Sequence, residues 1–358
     1  MGSEIFSGFN RVFEGFIVLV YKKVRSLLKW ISKPQYFKVR FFDKKIKKKE
    51  YLKEAILKYA PNSIHIELTN QCNLRCKMCP QYIFDKEVER GTMELNMFKE
   101  VVDSCYRAGV MRVILFNIGE SFLLENIAKY IQIAKDKPIP YVELYSNGTL
   151  FNEKNVREVI DAGLDTLVLS LDSADPEIYE RFRGVKIEKL KRSLKCFMSI
   201  LNEYRRKRKK VPIIIFREMY PKGTKTLENK GKVTKLFYDT YKDLKPDYFF
   251  GIYYFTFGDA FTNNISMQYG IKSRFGEERK PCRLIWKQFT IGWNGKAVAC
   301  CRDFKQELLI GDITKDSVLE IWNSDNMVGL RQKHLDLSLV NYNNCICCNE
   351  TFTEVYQQ

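Results

Sequence analysis

The stretch Glu67-Leu68-Thr69-Asn70-Gln71-Cys72-Asn73-Leu74-Arg75-Cys76-Lys77-Met78-Cys79-Pro80 decides how this chain is read. Its three cysteines stand in the spacing C-x3-C-x2-C. They follow Ile64-His65-Ile66-Glu67-Leu68, whose alternation has the period of a strand. Iron–sulfur clusters are ordinarily held by four thiolates. Three on one loop would leave one iron without a protein ligand, and an open coordination position is the reactive one at a metal centre. A zinc knuckle is the rival for the same residues.

Outward from this loop, apolar runs and helical patterns take turns. Strands are expected at 111–117, 141–146, 166–171, 211–217 and 248–254. Helices are expected at 96–108, 123–135, 153–162, 176–182, 187–204 and 232–244. Strands alternating with helices imply parallel βαβ units. About six such units up to residue 254 predict an α/β fold with a partial or full barrel, whose chemistry gathers at the C-terminal ends of the strands. After about residue 260 the alternation stops and cysteine and glycine take over. Three regions follow: a basic extension at 1–60, a barrel at 61–260 and a cysteine-rich part at 261–358.

Further motifs sit at the ends of the expected strands: Asn117-Ile118-Gly119-Glu120-Ser121, Ser146-Asn147-Gly148-Thr149, Ser170-Leu171-Asp172-Ser173, and then Arg183-Gly184. With the cysteine loop, and in this order, they resemble the radical S-adenosylmethionine (SAM) enzymes. The resemblance implies a [4Fe–4S] cluster on Cys72, Cys76 and Cys79 whose open iron binds the amino and carboxylate groups of SAM. One-electron reduction by a protein such as flavodoxin or ferredoxin then releases a 5′-deoxyadenosyl radical that abstracts a substrate hydrogen. It further implies SAM contacts from Met78 beside adenine, Gly119 and Glu120 near the amino group, Ser146 and Asn147 near the ribose, Ser170, and Arg183 at the carboxylate. Ile118 and Ser121 depart from the family's usual G-G-E-P.

The remaining clustered cysteines are Cys282, Cys300, Cys301, Cys345, Cys347 and Cys348. Gly295 lies five residues before Cys300 in an expected hairpin turn. The pattern C-x12-G-x4-C, with Gly311-Asp312-Ile313 and Leu319-Glu320-Ile321-Trp322 after it, resembles the SPASM extension of radical SAM enzymes. The chain runs only ten residues past Cys348, so the shortened, single-cluster twitch form is expected. Its ligands would be Cys282, Cys300, Cys345 and Cys348, a spacing similar to that of the aminocyclitol dehydrogenases of butirosin biosynthesis. A four-cysteine zinc site is the alternative. Cys301, beside a ligand, is a candidate catalytic thiol that gives hydrogen to a substrate radical. Cys105 and Cys196 are expected as small buried residues.

Composition bounds the rest. The chain has 358 residues, 45% of them hydrophobic, so it can bury a core, and its formal net charge is +17. Residues 1–60 hold 15 Lys/Arg against 5 Asp/Glu. His65 and His334 are the only histidines, too few for a multi-histidine site. No secretory signal is seen, so a cytoplasmic, reducing setting is expected and disulfides are not. Residues 1–31 carry Phe, Val, Ile and Leu at helical spacing among basic residues, a pattern suited to peripheral contact at the inner membrane surface. A helix packed on the main domain is the alternative. No recognition motif accompanies the charge, so nucleic acid is set aside.

The expected activity is hydrogen abstraction from a small polar metabolite (a sugar, aminocyclitol or nucleotide sugar), with oxidation or epimerisation as outcome. Arg217, Tyr220, Tyr253, Tyr254 and Asp259 are candidate pocket residues. A peptide-modifying maturase, a modifier of lipid-linked substrates and, outside enzymes, a zinc module binding a polyanion are the alternatives. For the N-terminal region, removal of residues 1–31 is expected to abolish binding to anionic liposomes in a flotation assay. Equal binding by the truncated chain would reject the surface contact.

Overall fold

The computed structural model describes residues 54–83, 86–220, 224–253, 279–340, 342–346 and 348. Residues 1–31, the expected region boundary near 260, Tyr254, Asp259 and Cys347 lie outside the described residues.

Six strands follow the expected alternation: β1 (Ser63–Ile66), β2 (Arg112–Ile114), β3 (Tyr141–Ser146), β4 (Thr166–Asp172), β5 (Ile213–Tyr220) and β6 (Tyr248–Tyr253). Helices connect them: α1 (Leu95–Arg107), α2 (Ile127–Asp136), α3 (Glu153–Asp161), α4 (Pro176–Arg183), α5 (Ile187–Arg206) and α6 (Lys235–Tyr241). Each helix begins or ends where local chemistry dictates. Asp175 caps α4 by accepting from the Ile178 amide, Pro176 opens it, and Gly184 closes it at φ 72°. Asn152 and Asn155 form a capping box on α3.

The six strands pair in parallel and in sequential order. Among the described residues the sheet does not close: β1 pairs on its free side with β7 (Gln288–Ile291), in parallel, and not with β6. This is the open form of the expected barrel. β7 turns through Gly292–Gly295 into antiparallel β8 (Lys296–Val298), and β9 (Leu309–Asp312) pairs with β8. The order is β6-β5-β4-β3-β2-β1-β7-β8-β9. The cysteine-rich region thus extends the barrel sheet. Gly295 makes its expected turn at φ 82°.

Strand alternation divides the sheet into two faces. Ile64, Ile66, Val113, Val142, Leu144, Leu167, Leu169, Ile214, Phe216, Phe289 and Ile291 join the helices in one apolar core. Cys105 is buried there; Cys196 is half-buried. The alternate residues, His65, Arg112, Glu143, Tyr145, Ser170, Arg217, Gln288 and Thr290, occupy the other, inner face.

A second anchorage was not legible in the sequence. Helix α7 (Val318–Trp322) and helix α8 (Asp325–Leu335) hold the segment that leads into β1. Trp322 Nε1 donates to Tyr59 O at 2.8 Å, Trp286 Nε1 to Glu54 O at 2.8 Å, and Asn323 exchanges two bonds with Leu57. Fully buried Arg331 lies 4.1 Å over the Trp322 ring and donates to Ile285 O and Ala55 O. No described helix is long and apolar enough to cross a membrane.

Candidate iron–sulfur and SAM site

The loop that leaves β1 carries Cys72, half-buried, Cys76, buried, and Cys79, half-buried. Its shape is fixed by backbone bonds: Cys79 N to Cys76 O at 2.9 Å, Lys77 N to Phe182 O at 2.9 Å, and Glu120 N to Gln71 O at 2.8 Å. Burial pushes the Cys72 thiol up to about 11 and the Cys79 thiol up to about 12, and the neighbouring thiols add to both shifts. Three thiols thus face one another in a poorly solvated place. A cation offsets their charge: Arg183 Nη1 reaches Cys76 Sγ at 3.7 Å. Three soft donors with a guanidinium beside them fit a cluster-binding loop.

Strand-end residues lock this loop from above. Glu120 is 2% exposed. It accepts from Ser146 Oγ at 2.9 Å, Asn147 N at 2.7 Å and Phe122 N at 3.1 Å, joining the ends of β2 and β3. Burial raises its carboxyl above the usual range, against these three donors. Asn147 donates to Asn73 Oδ1 at 2.9 Å, and Asn73 donates to Thr149 Oγ1 at 3.0 Å. Asn73 lies inside the cysteine motif. The spacing pattern drew attention to the cysteines and passed over it. A Cβ on Gly119 would lie 2.0 Å from Thr69 O, so this glycine admits the backbone of the cysteine loop. Met78 stands half-buried on that loop.

At the end of β4 the register shifts between Ser170 and Asp172, and Asp172 takes φ 62°. This turns its carboxylate onto Arg183, which also donates to Ser170 O. Arg183 Nε and Asp172 Oδ1 are buried without a hydrogen-bond partner.

The four expected auxiliary cysteines also come together. Cys282, Cys345 and Cys348 are buried and Cys300 is half-buried. Burial raises the Cys345 thiol, and Cys300, Cys282 and Cys348 face it and raise it further. Arg302 Nη1 lies 3.5 Å from Cys348 Sγ, and His334 Nδ1 accepts from Cys282 N at 3.3 Å. Four thiols that face one another fit a four-cysteine cluster. Among the described residues no three Cys, His, Asp or Glu side chains close on a single metal ion. Cys301 hydrogen-bonds Cys300 and lies 3.7 Å from Gln288 Nε2.

The inner face below these loops is polar. Arg112 pairs with Glu143 at 3.8 Å and reaches Ser63 Oγ at 3.4 Å. Phe116 stacks on Tyr145 at 5.1 Å, and Arg217 lies 5.4 Å over the same Tyr145 ring. Arg217 Nη2 donates to Ser170 Oγ at 2.6 Å. His65 contacts Phe116 O through Nδ1 at 3.3 Å and Gln288 Nε2 through Nε2 at 3.2 Å. His65, Glu143 and Tyr145 were not singled out from sequence, where strand alternation alone does not say which face is inner. Tyr220 donates to Lys232 O, which ties it to backbone.

Residues 66–209 match the Radical SAM superfamily, and residues 282–349 match SPASM, an iron–sulfur cluster-binding domain. These domains imply [4Fe–4S] clusters. A probable GTP 3′,8-cyclase of Methanococcus maripaludis is 34% identical over 134 residues, 37% of this chain and 44% of that protein. An uncharacterized protein of Methanocaldococcus jannaschii is 38% identical over 121 residues, 33% of this chain and 37% of that protein. The chain therefore spans less than half the length of these curated relatives. Among solved structures, BtrN in complex with AdoMet and 2-DOIA aligns with TM-score 0.52 at 15% identity, covering 82% of this chain and 94% of that one. anSMEcpe with bound AdoMet gives 0.56 at 15%, covering 80% and 89%. Streptococcus suis SuiB bound to precursor peptide SuiA gives 0.53 at 17%, covering 82% and 71%. At such identities the likeness is one of fold.

Burial, aided by the Arg112 charge, lowers the His65 pKa from 6.5 to about 4. The unfolded chain then binds the proton more readily. The contribution of neutral His65 is complete above about pH 6.5 and is lost as pH falls toward 4. Denaturant titrations at pH 7 and pH 5 are expected to show His65→Gln removing about 2 kcal/mol of the acid-induced loss of stability. An unchanged loss would place His65 in water.

Proposed function

We propose that this chain, which belongs to the radical SAM superfamily and carries a SPASM domain, cleaves SAM reductively and abstracts hydrogen from a small polar metabolite: a sugar, an aminocyclitol or a nucleotide sugar. The observation that carries this reading is the meeting of the cysteine loop with the ends of β2, β3 and β4 above a polar inner face.

Cys72, Cys76 and Cys79 would hold the SAM-binding cluster, and Cys282, Cys300, Cys345 and Cys348 the auxiliary one. Bound there, cluster and SAM supply a 5′-deoxyadenosyl radical, given one electron from a ferredoxin- or flavodoxin-type protein. The chain's own residues position the reactants. A carboxylate has about four lone-pair sites, so Glu120 retains room for the SAM ammonium beside its three donors. Arg183 gives one Nη1 hydrogen to Cys76 and its Nη2 to Ser170 O and Asp172, which leaves the buried Nε–H and the second Nη1–H as donors for the SAM carboxylate. Gly119, Ser146, Asn147, Ser170 and Met78 would line the same cofactor. The Arg183 charge beside Cys76 favours the thiolate that the cluster needs.

Anaerobically reconstituted protein is expected to hold about eight irons per chain, as two four-iron clusters require. It should form 5′-deoxyadenosine with dithionite and SAM. Replacing Cys72, Cys76 and Cys79 by Ala should leave about half the iron and no product. Cleavage retained in that variant would sink the assignment.

One observation favours epimerisation over oxidation. Gln288 joins the Cys301 thiol to His65 on the inner face. A substrate carbon radical would take hydrogen from the S–H bond, leaving a thiyl radical that one electron and one proton restore. In deuterium oxide the product would then carry one solvent deuterium, and Cys301→Ala would stop its formation. An oxidised product free of deuterium would reject the donor role.

A further inference from the structure

We propose that the substrate carries an anionic group, a phosphate or a carboxylate, and that Arg217 on β5 binds it. This rests on the function proposed above and names the substrate class for that site. Among the described residues three arginines serve the inner face and its rim, and two of them have counter-ions. Arg112 pairs with Glu143, and Arg183 pairs with Asp172. Arg217 is different. Its partners are the Ser170 hydroxyl and the face of Tyr145, and among the described residues no carboxylate pairs with it. Its Nε, like those of Arg112 and Arg183, is buried with no hydrogen-bond partner, so the missing carboxylate is what sets it apart.

Arg217 is half-buried, and a guanidinium partly withdrawn from water without a counter-charge carries a desolvation cost. An anion supplied by the ligand offsets that cost, and the planar fork of N–H donors suits two oxygens of one phosphate or carboxylate. Tyr145 holds the guanidinium from one side, itself stacked on Phe116, so the fork is fixed before a ligand arrives. The bond from Nη2 to Ser170 Oγ sets this anion site next to the strand end assigned to SAM. The same face adds polar atoms for the rest of a hydroxylated ligand. Thr290, 1% exposed, has its Oγ1 buried without a partner, and so has Asn117 its Oδ1.

The test uses full-length, anaerobically reconstituted protein saturated with SAM. Calorimetric titrations are run with inorganic phosphate and, separately, with acetate. The more tightly bound anion identifies the group, phosphate for a phosphorylated substrate and acetate for a sugar acid. Its affinity is expected to fall at least tenfold in Arg217→Gln and by less in Arg217→Lys, which keeps the cation but loses the planar fork. Equal affinities in the unsubstituted protein and Arg217→Gln, for both anions, would overturn the proposal by placing any binding elsewhere on this basic chain. A tenfold loss of SAM affinity in Arg217→Gln would also overturn it, since the guanidinium would then serve the cofactor's carboxylate. Formation of 5′-deoxyadenosine by the unsubstituted protein tests the enzyme class separately. If that persists while the anion test fails, only the substrate class falls.

Discussion

The pairing of β1 on both sides is the constraint on which the site depends. β2 holds one edge of β1 and β7 the other, both in parallel. The cysteine loop therefore leaves the sheet between β2 of the barrel and β7, the first described strand of the cysteine-rich region. Its exit is further fixed by Glu67 N bonding to Ile291 O at 2.9 Å. A C-x3-C-x2-C segment free in solution would pay the full entropy of ordering its three thiols. Here most of that ordering is done by the fold, because both neighbours of β1 are set by the same apolar core.

Charge compensation organises what lies around that exit. Buried Glu120 is stabilised by three donors, buried Asp172 and Arg183 by each other, and Arg183 in turn approaches Cys76. These groups come from the ends of different strands. Each one links two strands or a strand and the loop, so their positions are mutually dependent. The left-handed backbone at Asp172 belongs to this arrangement: an ordinary strand conformation would carry its carboxylate along β4, past the register shift that brings it to Arg183.

Much of this was legible in advance because it is local. The six parallel strands follow from alternation of apolar runs and helical periods, and their bounds in the structure differ by a few residues at most. The hairpin at Gly295 follows from turn chemistry. Strand-end motifs such as Ser146-Asn147-Gly148-Thr149 mark where the chain must turn. What escaped is non-local. Asn73 works through Asn147, 74 residues away, and His65 through Gln288, 223 residues away. The clamp of Trp286, Trp322, Asn323 and Arg331 on residues 54–59 joins two segments more than 220 residues apart, whose local patterns do not announce one another.

The sequence by itself determined the cluster chemistry and the parallel α/β plan. Thiol number, thiol spacing and hydrophobic period are properties of short segments, and their physics is settled within a few residues. Only the tertiary structure decided that the cysteine-rich region continues the barrel sheet through β7. It also decided which polar residues face inward, and that, among the described residues, Arg112 and Arg183 meet carboxylates while Arg217 does not. Those outcomes depend on which strand edges and which buried charges meet, and burial makes the distinction matter: a charge in water needs no partner, whereas one beneath a folded sheet does.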